Sequence, residues 1–297
     1  MSTSVVIPAY QHGRFIDEAL ASVIDQASEI IVVDDGSTDD TADRVSKWPV
    51  RYVRQPNQGT PGGTRNVGLR LCTQPYIAFL DADDISHPQR LRLQAQFLDE
   101  HPEVGLVVTN FVNFSAEGED RSHWQTCPTL SLRHEPSFSM DGAAASLLLL
   151  RENFALPSSM MIRREVLTRV PGFTTEVTIG EDVHFAYLVS KRWDVGFLNL
   201  VGAKRRVHGS NISGDMLRML THWLIAQRML RASETRPVHQ RELDKLSAET
   251  LVALARVHAD RRQFRESWRH GLEALPEQAA FKMLLRTVAM AGGLKRV

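Results

Sequence analysis

The chain has 297 residues, 43% of them hydrophobic, with 35 basic and 35 acidic side chains. That length suits one large α/β domain with an appendage, or two domains. Its two cysteines, Cys72 and Cys127, are far apart and in no CxxC, which excludes a disulfide framework or a thiolate zinc site and fits a reducing cytoplasm. The N-terminus, MSTSVVIPAYQ, lacks the basic and apolar regions of a signal peptide, and the longest apolar run, Gly142 to Leu150, is too short to span a bilayer. A cytoplasmic protein is expected. Charge is uneven: residues 1–200 carry 17 Lys and Arg against 26 Asp and Glu, and residues 201–297 carry 18 against 9. The basic C-terminal part therefore meets something anionic, such as a membrane surface or a phosphorylated substrate, or else pairs with the acidic half.

In chain order, Ser4 to Pro8 reads as a strand and Phe15 to Gln26 as a helix, with Phe15, Ile16, Ala19, Leu20 and Val23 at helical spacing. Glu29 to Val33 is a second strand, ended by Asp34-Asp35-Gly36-Ser37, and a helix is predicted from about Thr38 to Lys47. Val50 to Arg54, a helix over Gly63 to Leu71, and the strand Tyr76 to Leu80 continue the alternation. Strand and helix alternating at this spacing predict a parallel sheet covered on both faces. Ligands in such sheets sit beyond the carboxyl ends of the strands, where this chain places Pro8-Ala9-Tyr10, Asp34-Asp35 and an acidic cluster.

Further on, a helix over Gln89 to Glu100 and a strand over Val104 to Thr109 are expected, then a long loop over Ser115 to Asp141, of the length that often forms a lid or binding loop. From Gly214 the pattern is helical throughout. Met216, Met219, Leu220, Trp223, Ala226 and Leu230 share one face, and Leu251 to His258 with Phe264 to Leu275 resemble one tetratricopeptide unit. Core packing is the expected role of the Trp and Met residues there.

The cluster Asp81-Ala82-Asp83-Asp84 puts three carboxylates into four residues. Charges this close repel and are costly to desolvate, so they face water or surround a cation. Mg²⁺ and Mn²⁺ are held by one or two carboxylates while substrate phosphates complete the shell. Asp81 and Asp83 suit that role, although acidic turns after strands are common. Here the turn is one of an ordered series: VVIPAYQ, IIVVDDGSTDDT, NQGTPGGTRNVGL, FLDADD, PGF and GED.

Over roughly residues 3–212 this series resembles the family 2 glycosyltransferases, inverting enzymes of the GT-A fold. The resemblance implies an α/β, Rossmann-like, mainly parallel sheet over residues 1–213, followed by an all-helical region over 214–297. It implies a nucleoside cradle of Pro8, Ala9, Tyr10 and Asp35, with Asp34 ordering the turn. Arg65 would reach the nucleotide from a motif in which Thr64 replaces the usual Ala. Asp81 would contact ribose or metal, Asp83 would be the main metal ligand, and Asp84 receives no role. His208 would bind metal or diphosphate, and Lys204, Arg205 and Arg206 would clamp phosphates. Asp182 would be the catalytic base, with Glu181 in support. Alone, these two acids would be ordinary N-terminal partners of a helix dipole.

The implied cofactor is Mn²⁺ or Mg²⁺, and the implied substrates are a nucleotide-sugar donor, most simply a UDP-sugar, and a glycan, lipid-linked or small-molecule acceptor. The implied setting is the synthesis of a cell-surface polysaccharide or glycoconjugate. No nucleic-acid-reading motif occurs. Peripheral contact of the basic C-terminal part with the inner face of the cell membrane is expected, and homodimerisation stays open. The rivals are a sugar-1-phosphate nucleotidyltransferase, whose Gly-rich triphosphate loop is missing after the first strand, and a non-catalytic nucleotide-sugar-binding module.

Overall fold

Seven consecutive residues, Thr3–Ala9 (β1), are all buried, because a central parallel strand is covered on both faces and needs apolar side chains on each. Val5, Ile7 and Ala9 point into a core shared with Ile16, Ala19, Leu20 and Val23 of the helix Ile16–Val23 (α1). Val6 points the other way, where Gly68 of the helix Pro61–Leu71 (α3) lies so near that a Cβ there would sit 2.4 Å from Val6 Cγ1. Two helices thus sandwich one strand.

The computed structural model describes residues 2–209 and 214–274, which fall into two units divided after Gly209. The expected boundary at residue 213 lies outside the described residues. Besides those named, the first unit contains β2 (Glu29–Asp34), α2 (Thr41–Val45), β3 (Arg51–Arg54), β4 (Tyr76–Phe79), β5 (Ile85–Ser86), α4 (Arg90–Glu100), β6 (Val104–Ser115) and β7 (Gly118–Glu119). It continues with α5 (His123–Thr126), β8 (Ser137–Met140), α6 (Gly142–Arg151), β9 (Met160–Arg163), α7 (Glu181–Ser190) and β10 (Asp194–Arg206).

The sheet order is β3-β2-β1-β4-β9-β6-β10-β5, with β7 on β6 and β8 on β10. β3, β2, β1 and β4 are mutually parallel, as are β6 and β10, whereas β9 runs antiparallel between β4 and β6. Because β2 and β4 flank β1, the order reverses there, which makes the carboxyl ends of β1 and β4 the ligand crevice of an open α/β sheet. β10 is 13 residues long, and its register against β6 shifts between Leu198 and Val201 and again between Val201 and Ala203. Such irregularities bend a strand. Past the bend, Ala203 and Lys204 pair with Ser86 and Ile85, which carries the residues that follow to the acidic loop.

Two expectations need correction. The helix predicted from Thr38 starts only at Thr41, because the Gln11 side-chain carbonyl accepts from the N–H groups of Thr38 and Asp39 and holds them in a loop. The stretch 115–141 is not a plain loop: α5 and β8 lie in it, and the buried Glu152 carboxylate accepts from the N–H groups of Thr129 and Leu130.

The second unit holds α8 (Met216–Ser233), α9 (Pro237–Asp260) and α10 (Phe264–Glu273). Leu224, Ala248, Leu251, Val252, Leu254 and Ala274 form its core. Met216, Phe264, Trp268 and Leu272 are about half exposed, so the core role expected of Met216 and Trp268 is not theirs. Leu275 lies outside the described residues. No helix among the described residues is long and apolar enough to cross a membrane.

Candidate active site

The loops after β1, β2 and β4 meet at the crevice. After β1, Ala9 accepts a hydrogen bond from Asp35 N–H at 2.8 Å, tying the first two strand ends together. Pro8 and Ala9 are buried, and of this trio only Tyr10 is open to solvent. Asp34, fully buried, accepts from Ser37 N–H at 2.7 Å and from the Tyr52 hydroxyl, so it orders the turn. The Asp35 carboxylate accepts from Gln55 Nε2 at 2.6 Å and from Gln58 N–H at 3.0 Å. With about four lone-pair sites, a carboxylate so held can accept a further donor.

Thr60 caps α3 by accepting from Gly63 N–H, and Pro61 occupies the first turn, where its missing N–H costs nothing. This places Arg65 in the interior. Expected to reach the nucleotide, its guanidinium is instead 4% exposed and bridges two carboxylates: one terminal nitrogen lies 2.6 Å from Asp81 Oδ1 and the other 2.7 Å from Glu181 Oε1. Burial opposes its charge, but the two acids more than offset that and raise its pKa. Asn66 clasps Phe173 in both directions, donating to its carbonyl at 2.8 Å and accepting from its N–H at 2.9 Å. Gly172 in that turn has a φ of +102°, a backbone region that disfavours side chains.

Glu181 and Asp182 open α7, after Gly180 in the left-handed region. Burial, with Asp182 beside it, pushes the Glu181 carboxyl up to about 7, although Arg65 pulls the other way. Asp182 is also raised, by burial first, with Asp81 adding to it. Both acids therefore hold protons more tightly than an exposed carboxylate does.

At the acidic loop, Asp83 Oδ2 lies 2.9 Å from His208 Nε2 and 3.9 Å from His12 Nε2. Asp84, which the sequence left without a role, is buried. Its carboxylate accepts from Ser158 Oγ at 2.5 Å and from Arg206 N–H at 2.9 Å. Its pKa is raised well above the usual range by burial and by Asp83 and Asp81. Below it, fully buried Arg90 donates to the carbonyls of Phe79 and Ser158, and burial lowers its pKa to about 9. Arg206, expected to clamp phosphates, donates Nε to the Asp83 carbonyl at 2.9 Å and a terminal nitrogen to Glu18 at 2.8 Å. It braces the loop that carries Asp83.

His12, Ser158 and Arg90 received no role from the sequence. The available signal for His12 was its place two residues beyond the first strand-end motif. Ser158 and Arg90 lie 74 residues and 6 residues from Asp84 and reach the acidic loop through tertiary packing and main-chain carbonyls, which leave no mark in a local pattern of side chains.

The donor set fits a hard divalent cation only in part. Asp83 and His208 offer an oxygen and a nitrogen, and among the described residues no group of three His, Cys, Asp or Glu side chains is arranged to hold an ion. Phosphate oxygens and water would complete such a shell, as is usual for Mg²⁺.

Residues 4–170 match the model of glycosyl transferase family 2. The chain belongs to that family. Among curated relatives, an uncharacterized glycosyltransferase of Nostoc sp. is 31% identical over 224 residues, 71% of this chain and 66% of the relative. One of Rickettsia felis is 37% identical over 105 residues, 33% of this chain and 17% of the relative. The Staphylococcus aureus poly(ribitol-phosphate) β-N-acetylglucosaminyltransferase TarS is 33% identical over 144 residues, 44% of this chain and 25% of the relative. Among solved structures, residues 1–349 of TarS with UDP-GlcNAc superpose with a TM-score of 0.65 at 20% identity, covering 98% of this chain and 80% of that one. The Pyrobaculum calidifontis mannosyltransferase with GDP-Man and Mn²⁺ gives a TM-score of 0.62 at 18% identity, covering 98% and 80%. These likenesses establish the GT-A fold for this family 2 chain.

Proposed function

We propose that this family 2 chain transfers a sugar from a nucleotide-diphosphate donor, first among them a UDP-sugar, to an acceptor hydroxyl, with a divalent cation and with inversion at the anomeric carbon. One observation carries the reading: Asp83 and His208, 125 residues apart in sequence, meet at 2.9 Å beside the carboxyl ends of β1 and β4, where open α/β sheets bind their ligands. Asp83 and His208 would hold Mn²⁺ or Mg²⁺ together with the diphosphate. Bound there, the cation would neutralise charge on the leaving diphosphate.

The remaining work falls to the chain. Asp182 accepts the proton of the acceptor hydroxyl as that oxygen bonds to the anomeric carbon, and its burial-raised pKa makes it a better base than an exposed aspartate. Attack comes from the face opposite the diphosphate, which inverts the centre. Arg65, holding Asp81 with one nitrogen and Glu181 with the other, fixes the first turn of α7 relative to the donor side and so sets the near-attack geometry.

The named activity of TarS on poly(ribitol-phosphate) and the UDP-GlcNAc and GDP-Man complexes support a nucleotide-sugar donor and a polymer acceptor. Asp182→Asn should lower transfer at least a hundredfold while UDP binding persists. Asp83→Asn should abolish transfer and weaken Mn²⁺-dependent UDP binding in calorimetry. Full activity in both variants would remove the mechanism.

A further inference from the structure

We propose that His12 is a further residue of this reaction, a fixed Nε2–H donor to the diphosphate oxygens of the nucleotide-sugar beside Asp83; the proposal rests on the reading of the site given above.

The backbone fixes the ring. His12 Nδ1 accepts a hydrogen bond from Tyr10 N–H at 3.1 Å. A ring nitrogen that accepts carries no proton, so in the neutral imidazole the proton resides on Nε2. That nitrogen faces Asp83 Oδ2 from 3.9 Å, beyond hydrogen-bond reach, with the ring 25% exposed. A protonated Nε2 has no lone pair to give a cation. His12 therefore donates hydrogen bonds and does not ligate, unlike His208, whose Nε2 stands 2.9 Å from the same oxygen.

The loop that carries His12 is over-determined. Gln11 has a φ of +59°, a left-handed conformation that is uncommon without glycine and persists only where surroundings hold it. Its N–H donates to Ser37 Oγ at 2.9 Å, its side-chain carbonyl accepts from Thr38 and Asp39, and His12 N–H donates to buried Thr41 Oγ1 at 3.0 Å. Strain held at such a place aims a side chain.

The chemistry needs a donor there. As the acceptor oxygen bonds to the anomeric carbon, the bond from that carbon to the β-phosphate oxygen breaks. The electron pair goes to the diphosphate and the acceptor's proton goes to Asp182. An N–H fixed beside the diphosphate stabilises this charge without giving up its proton.

The test is calorimetry of UDP and of UMP, each with Mn²⁺, on the 297-residue chain and on its His12→Ala and His12→Gln variants. His12→Ala should weaken UDP binding about ten- to a hundredfold, the range of a hydrogen bond to a charged group, and leave UMP binding unchanged. Gln, whose side-chain amide places an N–H near the position of Nε2, should restore most of the loss. At saturating UDP the half-saturating Mn²⁺ concentration should not move, whereas a ligand role for His12 would raise it and overturn the proposal. Equal weakening of UMP and UDP, or undiminished UDP binding in His12→Ala, would also overturn it and leave the proposed function standing. Failure of the wild-type protein to bind either UDP or GDP with Mn²⁺ would overturn both. Thermal unfolding of each variant identifies one that loses binding by misfolding, and His12→Gln then carries the test.

Discussion

At the scale of single residues the site is governed by carboxylates taken out of water. The Glu181 carboxyl is raised from 4.5 to about 7. Between those values the folded chain holds a proton that the unfolded chain has released, so its contribution to stability is complete below about pH 4.5 and is lost as pH rises through 7. Glu181→Gln should flatten this slope, which urea titrations at pH 5 and pH 7.5 would measure; an unchanged slope would place the proton elsewhere. The acidic cluster Asp81-Ala82-Asp83-Asp84 was conspicuous in the sequence because like charges crowd there after a strand, whereas Glu181 and Asp182 stood out only through the family resemblance. The sequence could not reveal that Arg65 lies between Asp81 and Glu181, since a cation 16 residues from one acid and 116 from the other finds them only through tertiary packing.

At the scale of elements, strands buried on both faces were readable because most of their side chains are apolar. Thr3–Ala9, Glu29–Asp34 and Tyr76–Phe79 agree with expectation to within a residue or two. The reversal of β9 and the length of β10 were not readable, since a strand's direction and its bends are set by neighbours and not by its own residues. Helix α3 makes the close approach on which the donor side depends. Gly68→Ala would force a methyl group to within 2.4 Å of Val6 Cγ1 and move α3 off β1. Overpacking of this kind costs about 1–3 kcal/mol. Chemical denaturation should show that loss, together with weakened UDP binding as Arg65 shifts with its helix. Undiminished stability would mean that Val6 can yield.

At the scale of the whole molecule, the two-part organisation was visible as a change of hydrophobic period near residue 214. Which apolar residues of the helical unit lie outside its core was not, because periodicity reports that a face exists without saying what covers it. A donor that binds only the folded chain must stabilise it by mass action. UDP with Mn²⁺ at a hundred times its dissociation constant should add about 2.7 kcal/mol and raise the unfolding midpoint in a thermal scan; an unmoved midpoint at saturation would exclude binding to the native state.

The bent strand β10 has a consequence for biosynthesis. Asp83 emerges from the ribosome long before His208, and the 125 residues between them must be made and β10 docked before the two can touch. Closing so large a loop is an entropic burden met only when the sheet is nearly finished. On the proposed reading of the site, a nascent or truncated chain would leave nucleotide-sugars alone, and competence would arrive with β10.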